Sequence, residues 1–458
     1  MGAMAADLGS AQVLTWAGAA LIGLLQCFLI AELAVHSPSR AGGTATYAHE
    51  ALGARTPWLA GLSSWGYWFA WTPGIAVNLI LAAQYLRAAV APGVNVILLS
   101  LVITAVLYGV NTLGVRVTIR LSAALAVLAG IPLLALLLAP LAHPSLWHMG
   151  NLWPTHAPAG HSSGSTAVLA LKWFFVATWS AYGAEIASTV VAEFRDGGRT
   201  AARAMSAAGL ACLAAFTAVP LVITALVGPE ALSQDPDTVI LAPAEHVFGH
   251  ASKVVVGLML AGALVLGAQA YIIASSRTVY QMSRDGYLPR SFSRVNKQGV
   301  PVMSVIYDAA VIAVLVGLFG TNVVDVVASA NVGYLVVFVL LPLSFVILRL
   351  RRRRRGETVL LSRGWTAVGV ILTVFNAALL VLGAALWGVK IWLTGAIVMT
   401  AIVPLMLSRR WLDRRATRRA SSGVSMVPRP RAPSPSALPG ALPEPVPVIP
   451  AGPVSEES

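Results

Sequence analysis

Residues 323–355 read VVDVVASANVGYLVVFVLLPLSFVILRLRRRRR. An apolar run of about 20 residues is long enough to cross a bilayer core as a helix. This one stops at Arg351–Arg355, a cluster of the kind that stays on the cytoplasmic side of a membrane. The pattern recurs along the chain. Apolar runs fall at about 14–34, 62–86, 94–113, 121–141, 169–191, 204–227, 254–276, 303–320, 323–348, 365–386 and 388–407. Basic residues follow every odd run: Arg40 and Arg55, Arg116 and Arg120, Arg195 to Arg203, Arg277 to Lys297, Arg351–Arg355, and Arg409 to Arg415. The alternate loops lack them. Residues 142–166 hold no Lys or Arg, and residues 228–252 carry Glu230, Asp235, Asp237 and Glu245.

Composition agrees. The 458 residues are 57% hydrophobic and 11% charged, with a mean hydropathy of +0.77. A soluble domain needs about a quarter charged residues to wet its surface. The net charge of +13 lies in short loops between apolar runs, which excludes a nucleic-acid reading and implies contact with membrane lipids. Cys27 and Cys212 sit inside apolar runs and read as buried free thiols. The expected fold class is an all-α polytopic membrane protein of about eleven transmembrane helices. Its C-terminus is cytoplasmic, and it sits in the plasma or inner membrane. Domain organisation follows: 1–13, a remnant helix and external loop; 14–407, the membrane domain; 408–458, a basic then Pro-rich disordered tail. An odd span count forces the N-terminus outside, so a span upstream of Met1 is expected to be missing.

Polar residues inside apolar spans need a reason. The fifth span runs Trp173-Phe174-Phe175-Val176-Ala177-Thr178-Trp179-Ser180-Ala181-Tyr182-Gly183-Ala184-Glu185. A break at Gly183 would free backbone groups near Glu185 to hold a zwitterion or ion. A continuous helix, with Gly183 at a close crossing and Glu185 bonded to a neighbour, is equally compatible. Tyr67, Trp71, Gly74 and Asn78 share one helical face, as do Ser100, Thr104, Tyr108 and Asn111. Tyr271 and Ser275 lie one turn apart, as do Asn331 and Tyr334. These stripes line a cavity or bond helix to helix. Asp308 is a second intramembrane carboxylate, and Lys172 reads as a snorkelling residue. Zinc-protease, hydrolase, P-loop and dinucleotide motifs are absent, and the histidines lack metal-ligand spacing, so an enzyme is the weaker class.

Ala31-Glu32-Leu33-Ala34 through Pro38, Gly42-Gly43 and Tyr47-Ala48 to Leu52-Gly53 resembles the signature of amino acid permeases in the amino acid–polyamine–organocation superfamily. Asn111–Arg116, Glu193–Asp196 with Arg203-Ala204, and Ser276–Pro289 followed by Gly299–Pro301 are similar to later family segments, in the family's order. The resemblance covers the chain to about residue 407. It implies a LeuT-like five-plus-five inverted-repeat core with two C-terminal helices, the span at 169–191 matching the family's broken sixth helix. Residues Met1 to Gly9 would be the tail of its first helix, leaving half the binding site absent. It further implies that Trp179, Ser180, Ala181, Tyr182 and Gly183 line a substrate site, with Tyr67, Trp71, Tyr271 and Ser275 facing it. Glu185 and Asp308 are the candidates for proton coupling. Where some proton-coupled relatives carry a lysine, this chain has Ala129, and the family's Asn-Pro pair is replaced by Gly197-Gly198.

The expected function is secondary active transport of amino acids or related amines by alternating access. No cofactor or metal is expected, coupling is to H+ or Na+, and the oligomeric state is open. The alternatives are a truncated, inactive or regulatory permease-like protein, and a membrane enzyme.

Overall fold

A computed structural model describes residues 1–37, 43–53, 55–113, 130–131, 133–153, 163–185, 188, 198–320 and 322–422. Pro38, Gly42, Gly114–Arg116, Ala129, His156, His161, Glu193–Asp196, Gly197 and the tail 423–458 lie outside the described residues, as do residues 121–129 and 132 of the run at 121–141. Among the described residues there is no strand.

The helices are α1 (Gly2–Leu8), α2 (Gln12–His36), α3 (Thr44–Leu52), α4 (Pro57–Ala89), α5 (Val96–Thr112) and α6 (Leu133–Ala142). They continue as α7 (Ser163–Ala181), α8 (Gly198–Gln234), α9 (Leu241–Phe248), α10 (Ser252–Arg284) and α11 (Val302–Phe319). The last four are α12 (Val323–Arg354), α13 (Trp365–Leu386), α14 (Val389–Thr400) and α15 (Ile402–Ser422). Eight described helical stretches are long and apolar enough to cross a membrane. Two shorter apolar helices, Val96–Thr112 and Val302–Gly317, fall on further expected spans, and Leu133–Ala142 meets Pro144–Asn151 at a bend of 106°.

Local chemistry explains several boundaries. Asn95 caps α5 by accepting from the Leu98 amide at 3.1 Å, and Asn322 does the same for α12 at Asp325. Asp325 in the first turn and Arg351–Arg354 in the last complement the helix dipole of α12. Within α8, Gly228 adopts φ 80°, which only glycine takes without strain, and Pro229 follows it. The helix breaks there, and Asn151 donates to the Ala225 carbonyl at 2.9 Å beside the break.

One expected loop proves helical. The acidic stretch 228–252 forms the end of α8 and α9. Residues 1–13, expected as the remnant of a first helix and an external loop, form α1, a 3-10 turn at Gly9–Ala11 and the start of α2. Met4, Ala5 and Leu8 are buried and α1 packs on α7 and α8, so apolar burial holds this segment helical. Lys172, expected to snorkel, lies 3.9 Å from Asp7 of α1 and over the Trp387 ring.

Helix α4 is the central member, packed against α3, α5, α10, α11, α12 and α14. Its crossing with α12 is backbone to backbone. A Cβ added to Gly66 would lie 2.7 Å from the Gly333 carbonyl oxygen, and small residues at such crossings allow van der Waals packing between helices in lipid. On the other side α2 packs on α7 and α8, and a Cβ on Gly23 would lie 2.5 Å from the Ala181 carbonyl oxygen. Both cysteines are free, Cys27 buried and Cys212 half-buried.

The chain divides into two units, Met1–Arg410 and Trp411–Ser458. The second is helical through Ser422, over the basic part of the expected tail, with the Arg415 guanidinium 3.5 Å from the centre of the Trp411 ring.

A Gly66→Val substitution is expected to separate α4 from α12. It should lower stability by about 1–3 kcal/mol, the usual overpacking cost, read as a lower unfolding temperature of the purified protein in detergent.

Candidate functional site

The α-helical part of the fifth span ends at Ala181, and Gly183–Glu185 continue as a tighter 3-10 turn. The helix therefore stops one turn short of Glu185, in the middle of the apolar run. Glu185 is fully buried, and its Oε1 accepts a hydrogen bond from Tyr334 Oη at 2.6 Å. Among the described residues its Oε2 has no hydrogen-bond partner.

Other buried polar atoms surround that oxygen. Tyr67 Oη lies among Trp71, Ser188, Thr44 and Glu185 without a hydrogen bond of normal geometry, and Trp71 Nε1, Ser188 Oγ and Thr44 Oγ1 are also unpaired. Buried polar groups are nearly always satisfied, so a cluster of unsatisfied ones marks a place built for a ligand or water.

Aromatic rings enclose the cluster. Trp71 packs against Tyr67, Tyr271 and Tyr334 with ring centres 5.7, 4.7 and 5.6 Å apart. Trp179 meets Tyr271 at 6.2 Å, and its indole donates to the Ala70 carbonyl at 3.1 Å. That carbonyl lies next to the turn where Pro73 removes a backbone donor from α4. Tyr182 stacks on Phe338 at 4.6 Å and donates to Asn376 Oδ1 at 3.1 Å. Gly74 gives Trp179 its room, since a Cβ there would lie 2.6 Å from the indole. A Cβ on Gly183 would lie 3.7 Å from the Trp71 ring. Sequence reasoning named Tyr67, Trp71, Tyr271, Trp179, Tyr182 and Gly183, and the fold gathers them. Ala181 is buried on the side of α2, and Ser180 is half-buried. Thr44, Ser188 and Asn376 were missed, because a lone small polar residue carries no periodic signal.

Asp308 has its own surroundings on the other side of α4. Its Oδ1 accepts from Trp68 Nε1 at 3.1 Å, Thr72 Oγ1 at 2.9 Å and Ser275 Oγ at 2.6 Å, and its Oδ2 accepts from Tyr108 Oη at 2.8 Å. Ser275 thus belongs to Asp308, and the structure does not bring it to the Glu185 cluster. Four neutral donors from α4, α5 and α10 converge on this one carboxylate of α11. That arrangement satisfies an ionised carboxylate without a cation.

The remaining stripes bond helix to helix. Asn111 and Gln269 exchange hydrogen bonds at 3.1 and 3.0 Å, Ser100 and Thr104 bond back to their own helix, and Asn331 donates to the Phe175 carbonyl. Among the described residues no group of three or more His, Cys, Asp or Glu side chains is placed to hold a metal ion.

The sequence model of the amino acid permease family matches residues 1–403. The γ-aminobutyric acid permease of Escherichia coli is 26% identical over 77% of this chain and 76% of its own length. The lysine-specific permease of Escherichia coli is 25% identical over 66% of this chain and 64% of its own. An uncharacterised transporter of Mycobacterium tuberculosis is 27% identical over 83% of this chain and 84% of its own.

The two carboxylates should respond differently to amide replacement. Asp308→Asn turns an amide N–H2 toward hydroxyl and indole donors and costs about 1–3 kcal/mol for each donor left unmet. Glu185→Gln keeps an acceptor for Tyr334 and costs less. Thermal unfolding of both purified variants checks this; equal midpoints would contradict the four-donor arrangement.

Proposed function

The chain belongs to the amino acid permease family, and from that premise we propose how its interior handles substrate and proton. It is an integral membrane protein and a secondary transporter of amino acids or related amines; the family points to transport rather than catalysis. In our reading, substrate binds in the aromatic chamber between α4, the end of α7, α10 and α12. The electron-rich faces of Trp71, Tyr271 and Tyr334 attract an ammonium group. The change from α-helix to 3-10 turn after Ala181 brings backbone to the chamber to complete its binding, as interrupted helices do in carriers. Alternating access then exposes this chamber to one side of the membrane and then the other.

Glu185 carries the coupling proton. The observation that supports this is its open Oε2 among unpaired polar atoms, beside a single donor on Oε1. Adding a proton there removes a charge from low dielectric at the point where substrate enters. Asp308, met by four donors, has no comparable vacancy for a proton and serves as a fixed anion that ties helices together. The basic helix ends face the cytoplasm, as the positive-inside rule requires, and the C-terminal tail lies on that side.

Reconstituted vesicles test the reading. Uptake of labelled amino acids, with γ-aminobutyrate and lysine among them, is expected to rise under an inward proton gradient. Glu185→Gln should abolish that rise and keep substrate exchange, whereas Asp308→Asn should keep the proportional rise in whatever folded protein is recovered. Stimulation by a sodium gradient alone, or proton stimulation that survives Glu185→Gln, would overturn the assignment.

A further inference from the structure

At the basic end of the bundle a groove of about 690 Å³ opens between the end of α2, the start of α8 and the segment that leads into α13. Its walls differ in chemistry. Phe28 and Val35 of α2 and Leu360 of the segment before α13 supply apolar lining, and Arg199 and Arg203 of α8 supply charge, with His36 also in the lining. Arg199 and Arg203 are one helical turn apart on α8 and exposed, and among the described residues no carboxylate pairs with either.

The walls are held in place independently of any ligand. Arg349 and Glu32 form an ion pair whose side chains are 0% and 2% exposed. Arg349 Nη2 donates to the carbonyls of Leu361 and Ser362, each at 2.6 Å, and Glu32 Oε2 accepts from the Leu361 amide at 2.8 Å. A His36 ring nitrogen bonds the Thr358 carbonyl at 3.0 Å. The segment 358–362 is thereby fixed as a wall. On the other side α8 is seated on α2 at Gly198, where a Cβ would lie 2.1 Å from the Ala34 carbonyl oxygen. Arg199 is presented from the anchored first turn of α8 and Arg203 from the next, near the positive end of the helix dipole.

We propose that this groove holds the headgroup of an anionic phospholipid. The phosphate lies between Arg199 and Arg203, and the first carbons of an acyl chain lie along Phe28, Val35 and Leu360. Guanidiniums suit phosphate oxygens by geometry as well as charge. A free phosphate satisfies the arginines and leaves the apolar wall unused; a zwitterionic lipid fills the wall and brings a cation to the arginines. An anionic lipid meets both walls, and the groove lies at the end of the bundle where chain and headgroup regions adjoin. The inference rests on membrane insertion alone and is independent of the substrate and of Glu185.

The test is lipid retention by the full-length chain in detergent, read by native mass spectrometry during titration with short-chain phosphatidylglycerol or phosphatidylcholine. Phosphatidylglycerol should be retained in preference. The double variant Arg199→Gln, Arg203→Gln should weaken it about 30-fold, the loss expected for two basic residues at a membrane surface. A control with the same charge change outside the groove, Arg284→Gln with Arg410→Gln, should leave retention unchanged. Leu360→Trp fills the groove without altering charge and should also weaken binding, which keeps the test open if the arginine variant fails to fold. Equal retention of both lipids, equal losses in the two double variants, or full retention by the groove variants would overturn the proposal. So would displacement of phosphatidylglycerol by millimolar inorganic phosphate, which would make a soluble anion the ligand.

Discussion

An ionisable carboxylate inside an apolar bundle has to be met by hydrogen-bond donors or lose its charge, and α4 stands between two of them. Tyr67 and Trp71 turn one face of α4 toward Glu185, and Trp68 and Thr72 turn another toward Asp308. The helix that packs against most of the bundle therefore also divides its polar interior. On the Asp308 side the donors are complete, and four helices are tied to one point. On the Glu185 side they are incomplete, and the open atoms face an aromatic chamber. The satisfied carboxylate and the open one are separated by one helix.

The same constraint governs the ends of the helices. Glu32, buried near the end of α2, is balanced by Arg349 near the end of α12, and the surplus donors and acceptors of that pair hold the segment leading to α13. Arg409 similarly donates to the carbonyls of Ser283 and Leu288 and fastens the turn after α10. His49 and Tyr287 join α3 to that turn at 2.6 Å. Not every arginine behind the charge bias is a loose surface charge. Several are structural, and Arg199 and Arg203, which line a groove without a carboxylate partner among the described residues, stand out against them.

Much of the fold was legible from residue order. Spans appear as apolar runs because lipid demands them, and those that fall within the described residues coincide with helices. The loops were less legible: α9 and the end of α8 are helical although they read as connections, since burial against neighbours decides the state of a short segment. In the site, Glu185 and the Tyr67–Trp71 face were visible because a carboxylate or a ring repeated every fourth residue is rare in a span. Ser275 was misgrouped with Tyr271. One turn of separation puts both on the same stripe, yet a small difference in azimuth sends the hydroxyl to Asp308 and the ring to Trp71.

By itself the sequence determined that this chain lies in a membrane as a helical bundle, where its basic helix ends fall, and which permease family it resembles. These are properties of composition and period, which survive in one dimension. Only the tertiary structure decided which carboxylate is satisfied and which is open. The donors to Asp308 come from residues 33 to 240 positions away, and the neighbours of Glu185 from four separate segments. A hydrogen bond depends on distances of a few tenths of an ångström between groups that folding brings together, and nothing in the order of residues encodes that spacing directly.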